Sequence, residues 1–136
     1  MVKFENKIVA ILREDLLMWQ KLNVTAFIMS GIGGREDVLG EAYVDGAGHT
    51  YLPMSKQPIM IYTANGEQLK ELLLKSLNKD VNMAIYTEEL FNTYNDVDNR
   101  AKVAEFNTQD LNLVGVGMIG KKNHVDRLTK GLNLHA

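Results

Sequence analysis

The sequence predicts an α/β layered domain with a mostly parallel or mixed sheet. Two observations carry this. Four short apolar runs alternate with segments that have helical caps and spacing, the pattern of strands and helices packed in layers. The first and fourth runs are almost continuously apolar, as strands covered on both faces are. The chain has 136 residues, 46% of them hydrophobic and 24% charged. That is enough apolar material for one core without disulfides or metal. No linker, repeat or low-complexity tract divides it, so residues 1–136 read as a single domain.

The first strand is Lys7 to Arg13. Asp15 is placed to cap a helix running to about Ser30, with Gly31 as its stop. Between Glu41 and Leu52, the turn Asp45-Gly46-Ala47-Gly48 joins two short β-rich arms, an inserted hairpin. Ile59 to Thr63 is the second long strand. Asn65, with Gln68 three residues on, forms a capping box for a helix through about Asn78. Val81 to Tyr86 is the third. Thr87 caps a short turn to about Thr93, and Asp96 caps a helix from Val97 to about Phe106. Leu111 to Ile119 is the fourth strand. Lys121 to Thr129 is the last helix, ended by Lys130-Gly131.

Several function classes lack the residues they need. There is no Cys, which removes disulfides, thiolate catalysis and Cys-ligated zinc. His49, His124 and His135 are scattered, and no two stand at metal-ligand spacing. Asp96-Val97-Asp98-Asn99 lacks the glycine and distal glutamate of a calcium loop. Gly31-Ile32-Gly33-Gly34 follows a helix rather than leading into one, so it is no phosphate cradle. Gly115-Val116-Gly117 lies within a strand and marks close packing or a bulge. No Gly-x-Ser-x-Gly elbow is present. The expectation is no metal and no cofactor. No run approaches the ~20 apolar residues of a membrane helix, and Met-Val-Lys-Phe-Glu-Asn-Lys is too polar for a signal peptide. A cytoplasmic location is expected.

The formal charge is −2 and the pI about 5.9. Thr87 to Asn99 holds four acids and no Lys or Arg, which disfavours tRNA, since phosphate binding needs a basic surface. Lys121, Lys122, Arg127 and Lys130 form the one basic cluster. With Asp126 among them and no interleaved aromatics, they read as a solvated helix face.

Ligands on such sheets sit at the carboxyl ends of strands. The loops at issue are Glu14 to Met18, Thr63 to Gln68, Thr87 to Asn99 and Gly120 to Asn123. On the first helix, Leu16, Trp19, Asn23, Ala26, Phe27 and Ser30 share one face at 100° per residue, and Leu17, Val24 and Ile28 the opposite one. Lys21 falls among the second set. It either snorkels at an edge or meets an anion in a polar pocket. Asn23 and Ser30, on the main stripe, need hydrogen-bond partners.

Val9-Ala10-Ile11-Leu12-Arg13-Glu14-Asp15-Leu16, followed by Trp19-Gln20-Lys21-Leu22-Asn23-Val24-Thr25-Ala26-Phe27, strongly resembles the uncharacterised domain-of-unknown-function family numbered two thousand. Gly40 to Asp45, Tyr51-Leu52-Pro53, Gln57-Pro58, Tyr86 to Phe91 and Thr129 to His135 extend the match in order along nearly the whole chain. That family is similar in fold to the type II peptidyl-tRNA hydrolases. The resemblance implies a four-stranded mixed sheet with helices on both faces, a three-layer α/β/α domain, and a homodimer. In the hydrolases an Arg-x-Asp-Leu pattern ends the first strand, and a functional lysine and a glutamine lie on the next helix. Arg13, Asp15 and Leu16 match that pattern, and Lys21 matches the lysine. Thr25 stands at the glutamine position. The hydrolases' downstream Asp-Ala-Gly…Thr segment is replaced by Thr87 to Asp96, so the fold carries over better than the activity.

Two functions remain. In the preferred one, a small anion or metabolite binds between Asp15–Lys21 and Thr87–Thr93. Trp19, Phe91 and Tyr94 are its apolar walls, and Lys21 and Thr87 orient the anion. Arg13, Asp15 and Thr25 complete the candidate ligand-binding set. In the alternative, the domain hydrolyses an acyl ester. Lys21 then holds the oxyanion, and Thr93, Asp96 or Asp98 orients a water. Against this, Asp96 and Asp98 also suit a helix cap and its dipole. His135, beside the terminus, reads as a tail contact rather than a base.

Overall fold

The computed structural model describes residues 3–136; Met1 and Val2 of the polar opening segment lie outside them. The elements run β1 (Asn6–Arg13), α1 (Met18–Arg35), β2 (Tyr43–Val44), β3 (Thr50–Tyr51), β4 (Ile59–Ala64), α2 (Gly66–Ser76), β5 (Val81–Thr87), α3 (Asp96–Ala104), β6 (Leu113–Lys121), α4 (Lys122–Leu128) and β7 (Asn133–Leu134). Short 3-10 turns lie at Glu88–Asn92 and Thr108–Asp110.

The main sheet has five strands in the order β5-β6-β1-β4-β7. β1 and β4 are parallel, and the other pairings are antiparallel. This corrects the expected four strands. The fifth, β7, is two residues long and pairs only through Tyr62–Leu134 and Thr63–Asn133. So short an edge strand has no period to read. The β2–β3 hairpin forms a separate two-stranded sheet, as the turn residues predict.

Alternation along β1 builds two cores. Val9 and Ile11 pack with Leu69, Leu72 and Leu73 of α2 and Val125 of α4. Ala10 and Leu12 pack on the other face with Val24 and Ile28 of α1 and with Tyr86 and Leu90. Helices therefore cover both faces, and β1 is apolar on both for that reason. β6 carries a bulge opposite the Tyr86–Thr87 step, where Thr87 pairs with Leu113 instead of Val114. Beyond it, Gly115 and Gly117 face α1. A Cβ on Gly115 would stand 2.4 Å from Val24 Cγ1, and one on Gly117 would stand 3.1 Å from Ile32 Cδ1. These glycines let the helix lie close against the strand.

Helix α1 starts later and ends later than expected. Gln20 Oε1 accepts from the Leu17 amide at 2.9 Å, so the cap sits at Leu17 rather than Asp15. The helix continues through Gly31, Gly33 and Gly34 to Arg35. Tertiary burial of Ile32, beside Ile8 and Ile119, outweighs the helix-breaking tendency of those glycines. The buried stripe is Val24, Ile28 and Ile32. The face expected to be the main apolar one, with Trp19 and Phe27, is largely exposed. Ser30 bonds to the Phe27 carbonyl of its own helix. The Asn65–Gln68 capping box of α2 is complete in both directions. Asn95 rather than Asp96 caps α3, its side chain accepting from the Asp98 amide at 2.8 Å.

Candidate site at the carboxyl edge of the sheet

β1, β4 and β5 point the same way, so their last residues share one edge. Arg13 closes β1 there. Its Nε donates to Asp15 Oδ1 at 2.6 Å, and its Nη1 lies 3.8 Å from Glu88 Oε2, just past β5. The Glu14 amide donates to the Ala64 carbonyl at the end of β4. One arginine thus ties the β1–α1 connection to the loop after β5.

Two groups of candidate residues flank α1. On one side Trp19 meets Phe91 edge to face at 5.7 Å between centroids, Phe91 meets Tyr86 at 5.1 Å, and Tyr86 meets Phe27 at 5.7 Å. This aromatic chain joins α1 to β5 and the turn after it. Burial raises the Tyr86 phenol above its ordinary pKa. Thr87, the last residue of β5, is 1% exposed, and its Oγ1 has no hydrogen-bond partner among the described residues. Thr93 donates to the Leu90 carbonyl at 3.0 Å and also bonds Asn99, which ties the turn to α3. Tyr94 stands 95% exposed and forms no wall.

The other side carries Lys21. It follows Trp19 by two positions, about 200° around the helix, so the two are not neighbours on one wall. Lys21 is half-buried, and its Nζ lies 3.2 Å from His135 Nε2. An ammonium can only donate, so Nε2 accepts. The ring proton then sits on Nδ1, which lies 2.8 Å from the Ala136 oxygen. The His135 amide donates to the Ile61 carbonyl at 2.8 Å, extending the β7 pairing and fixing the ring beside α1. Lys21 enters no ion pair among the described residues. Thr25, one turn on, returns its hydroxyl to the Lys21 carbonyl at 2.8 Å.

The edge therefore holds Arg13, Asp15 and Glu88 in one cluster. Trp19 and Phe91 form a second with Tyr86. Lys21 and His135 form a third. His135 is the candidate residue that the sequence marks only as a tail contact. Its partner is 114 positions away, and only the pairing of β7 with β4 brings the two together. No group of three or more His, Cys, Asp or Glu is arranged to hold a metal ion among the described residues. None of their helices is long and apolar enough to cross a membrane.

A family profile described as protein of unknown function (DUF2000) matches residues 6–136. The fold is similar to that of a solved structure from Agrobacterium tumefaciens strain C58, of the protein of unknown function Atu0240. The two are 42% identical with a TM-score of 0.93, over 98% of this chain and 100% of that one. No curated protein matches the chain.

Proposed function

The chain belongs to the DUF2000 family of proteins of unknown function, and on that premise we propose that it binds a small carboxylate-bearing metabolite at Lys21 and His135. One observation carries the reading: a half-buried ammonium whose side-chain partner is the His135 ring at 3.2 Å, with no carboxylate within 4 Å among the described residues. A lysine covered by protein keeps a counter-charge or gives up hydration. Here one cation faces one anion's worth of demand, which suits a monoanionic carboxylate better than a phosphate. Arg13 and Asp15 stiffen the connection from which α1 starts, and so place Lys21.

A cytoplasmic, type II peptidyl-tRNA hydrolase-like architecture belongs to the same reading. Its support is the Arg13-Glu14-Asp15-Leu16 sequence at the end of β1 and the lysine on the helix that follows. A homodimer also belongs to it. The β2–β3 hairpin is exposed throughout residues 41–52, with Tyr43, Val44, Tyr51 and Leu52 in the open. A two-stranded hairpin is marginal alone, and a second copy would give these side chains a surface to cover. The alternative function, hydrolysis of an acyl ester, is favoured by the same contact. His135 would serve as base beside the Lys21 cation.

Acetate and butyrate, titrated against the full chain in a thermal-shift assay, test the binding reading. A carboxylate at 100 times its Kd stabilises by about 2.7 kcal/mol. The shift is expected in the wild type, weakened in His135→Phe and absent in Lys21→Met. Equal shifts in wild type and Lys21→Met overturn the site, as does no shift in either. Turnover of a small acyl ester at a rate unchanged by Lys21→Ala removes Lys21 from the hydrolase chemistry.

A further inference from the structure

A second cleft lies on the opposite face of the sheet, where the end of α2 meets α4. Its volume is about 650 Å³, and Leu74, Lys75, Lys79, His124, Arg127 and Leu128 line it. Three cations converge there against one lining acid, Asp80. Lys75 is held by Glu71 at 2.9 Å, one turn back on α2. Lys79 and Arg127 enter no ion pair among the described residues. His124 also lines the cleft, its Nδ1 buried and without a hydrogen-bond partner among the described residues. Two cations without a carboxylate partner on one concave surface leave a positive potential that suits an anionic ligand.

The local sequence makes this arrangement. His124 and Arg127 are three apart on α4 and share one face. Lys79 comes from the turn after α2, whose amide donates to the Ser76 carbonyl at 3.1 Å. Lys122 does not join them. It faces Asp126 at 2.7 Å, and Asp126 in turn takes Lys7 at 2.7 Å. The basic residues near the end of the sequence therefore divide. One is neutralised on the helix surface, and Arg127 turns into the cleft.

We propose that the α2–α4 cleft binds the phosphate of a small phosphorylated metabolite, seated between Lys79 and Arg127 with His124 in the cleft wall. A phosphate monoester carries nearly two charges at pH 7, and a guanidinium fork with a second cation is the usual match for it. Leu74 and Leu128 offer an apolar shelf for the organic part. A nucleic acid fits worse, because no Phe, Tyr or Trp lines the cleft for a base to stack on. The site is independent of Lys21, which lies on the other face.

The test is isothermal titration of the full chain with adenosine monophosphate and glycerol 2-phosphate. Adenosine is the uncharged control, and amide shifts from an NMR titration locate the site. Saturable binding of both phosphates is expected, with none of adenosine. The shifts should centre on Lys79, His124 and Arg127. Arg127→Gln and Lys79→Gln should each weaken binding by about tenfold. Both side chains project from the surface, and circular dichroism checks that the variants fold. Lys21→Met should leave phosphate binding unchanged, which separates this site from the carboxylate site. The proposal is overturned if no phosphate binds saturably, or if adenosine binds as well as its monophosphate. Binding unaffected by both glutamine variants overturns it too, as does tighter binding of single-stranded RNA than of the monoester.

Discussion

Adding one methyl group at Gly115 should displace the helix that carries Lys21. The new Cβ would stand 2.4 Å from Val24 Cγ1, where carbon atoms prefer about 3.5–4.0 Å. The deficit exceeds an ångström. Val24 has no exposed surface, and valine in a helix has essentially one rotamer, so it cannot turn aside. Helix and strand must separate, at the upper end of the about 1–3 kcal/mol that overpacking costs. For a chain of this size each kcal/mol moves the melting temperature by roughly 3–5 °C. Gly115→Ala should therefore melt about 9–15 °C early. Lys21 lies one turn before Val24 on the same face, so its 3.2 Å contact with His135 should loosen as well, and carboxylate binding should fall. The assay is thermal unfolding of Gly115→Ala, Val24→Ala and the double variant. Val24→Ala alone leaves a cavity and costs about 2 kcal/mol. In the double variant the alanine methyl occupies that space, so its loss should be smaller than the sum by about 1–3 kcal/mol. Additive losses, or a single Gly115→Ala within about 0.5 kcal/mol of wild type, would refute the packing argument.

Thr87→Val keeps the shape and removes a buried hydroxyl that has no partner. It should raise the urea midpoint, by about 1 kcal/mol in stability, and a loss of that size would mean the hydroxyl is bonded. Asp126 is held below the ordinary aspartate pKa, first by Lys122 and then by Lys7, and Lys7 is raised chiefly by Asp126. A lowered carboxylate contributes fully above its unfolded pKa, near 4, and that contribution disappears as the pH falls through the folded value. Lys7 shows the opposite sense, losing its contribution as the pH rises through its raised value. Asp126→Asn should cost about 0.5 kcal/mol at pH 7, discounted for solvent screening, and should flatten the acid limb of a stability–pH curve. An unchanged curve contradicts the pairing. Leu52 is 85% exposed, so Leu52→Glu should leave the melting temperature alone while converting a sedimenting dimer to monomer. A wild type that sediments as a monomer ends the reading of the hairpin as an interface.

Local chemistry was legible along the chain. The four long strands, the Asn65–Gln68 capping box, the Asp45–Gly48 turn and the glycines of β6 were readable because each signal is complete within a few residues. Pattern and propensity act at that range. The end of α1 was misread because a glycine's preference, about 1 kcal/mol, yields to burial of Ile32. That burial depends on Ile8 and Ile119, far off in sequence. Trp19 and Phe91, singled out by type, stack edge to face, while Thr87 closes β5 with its hydroxyl buried. Lys21 was singled out as a cation among apolar neighbours, but its partner was not visible. The sequence by itself determined the elements, the two apolar faces of β1 and the absence of thiol chemistry. Only the tertiary structure decided that β7 adds a fifth strand, that His135 rather than the Thr87 loop stands beside Lys21, and that Lys79 and Arg127 share a cleft. The physical reason is one of range: sheet order and helix docking depend on burial summed over the whole chain, which no local pattern records.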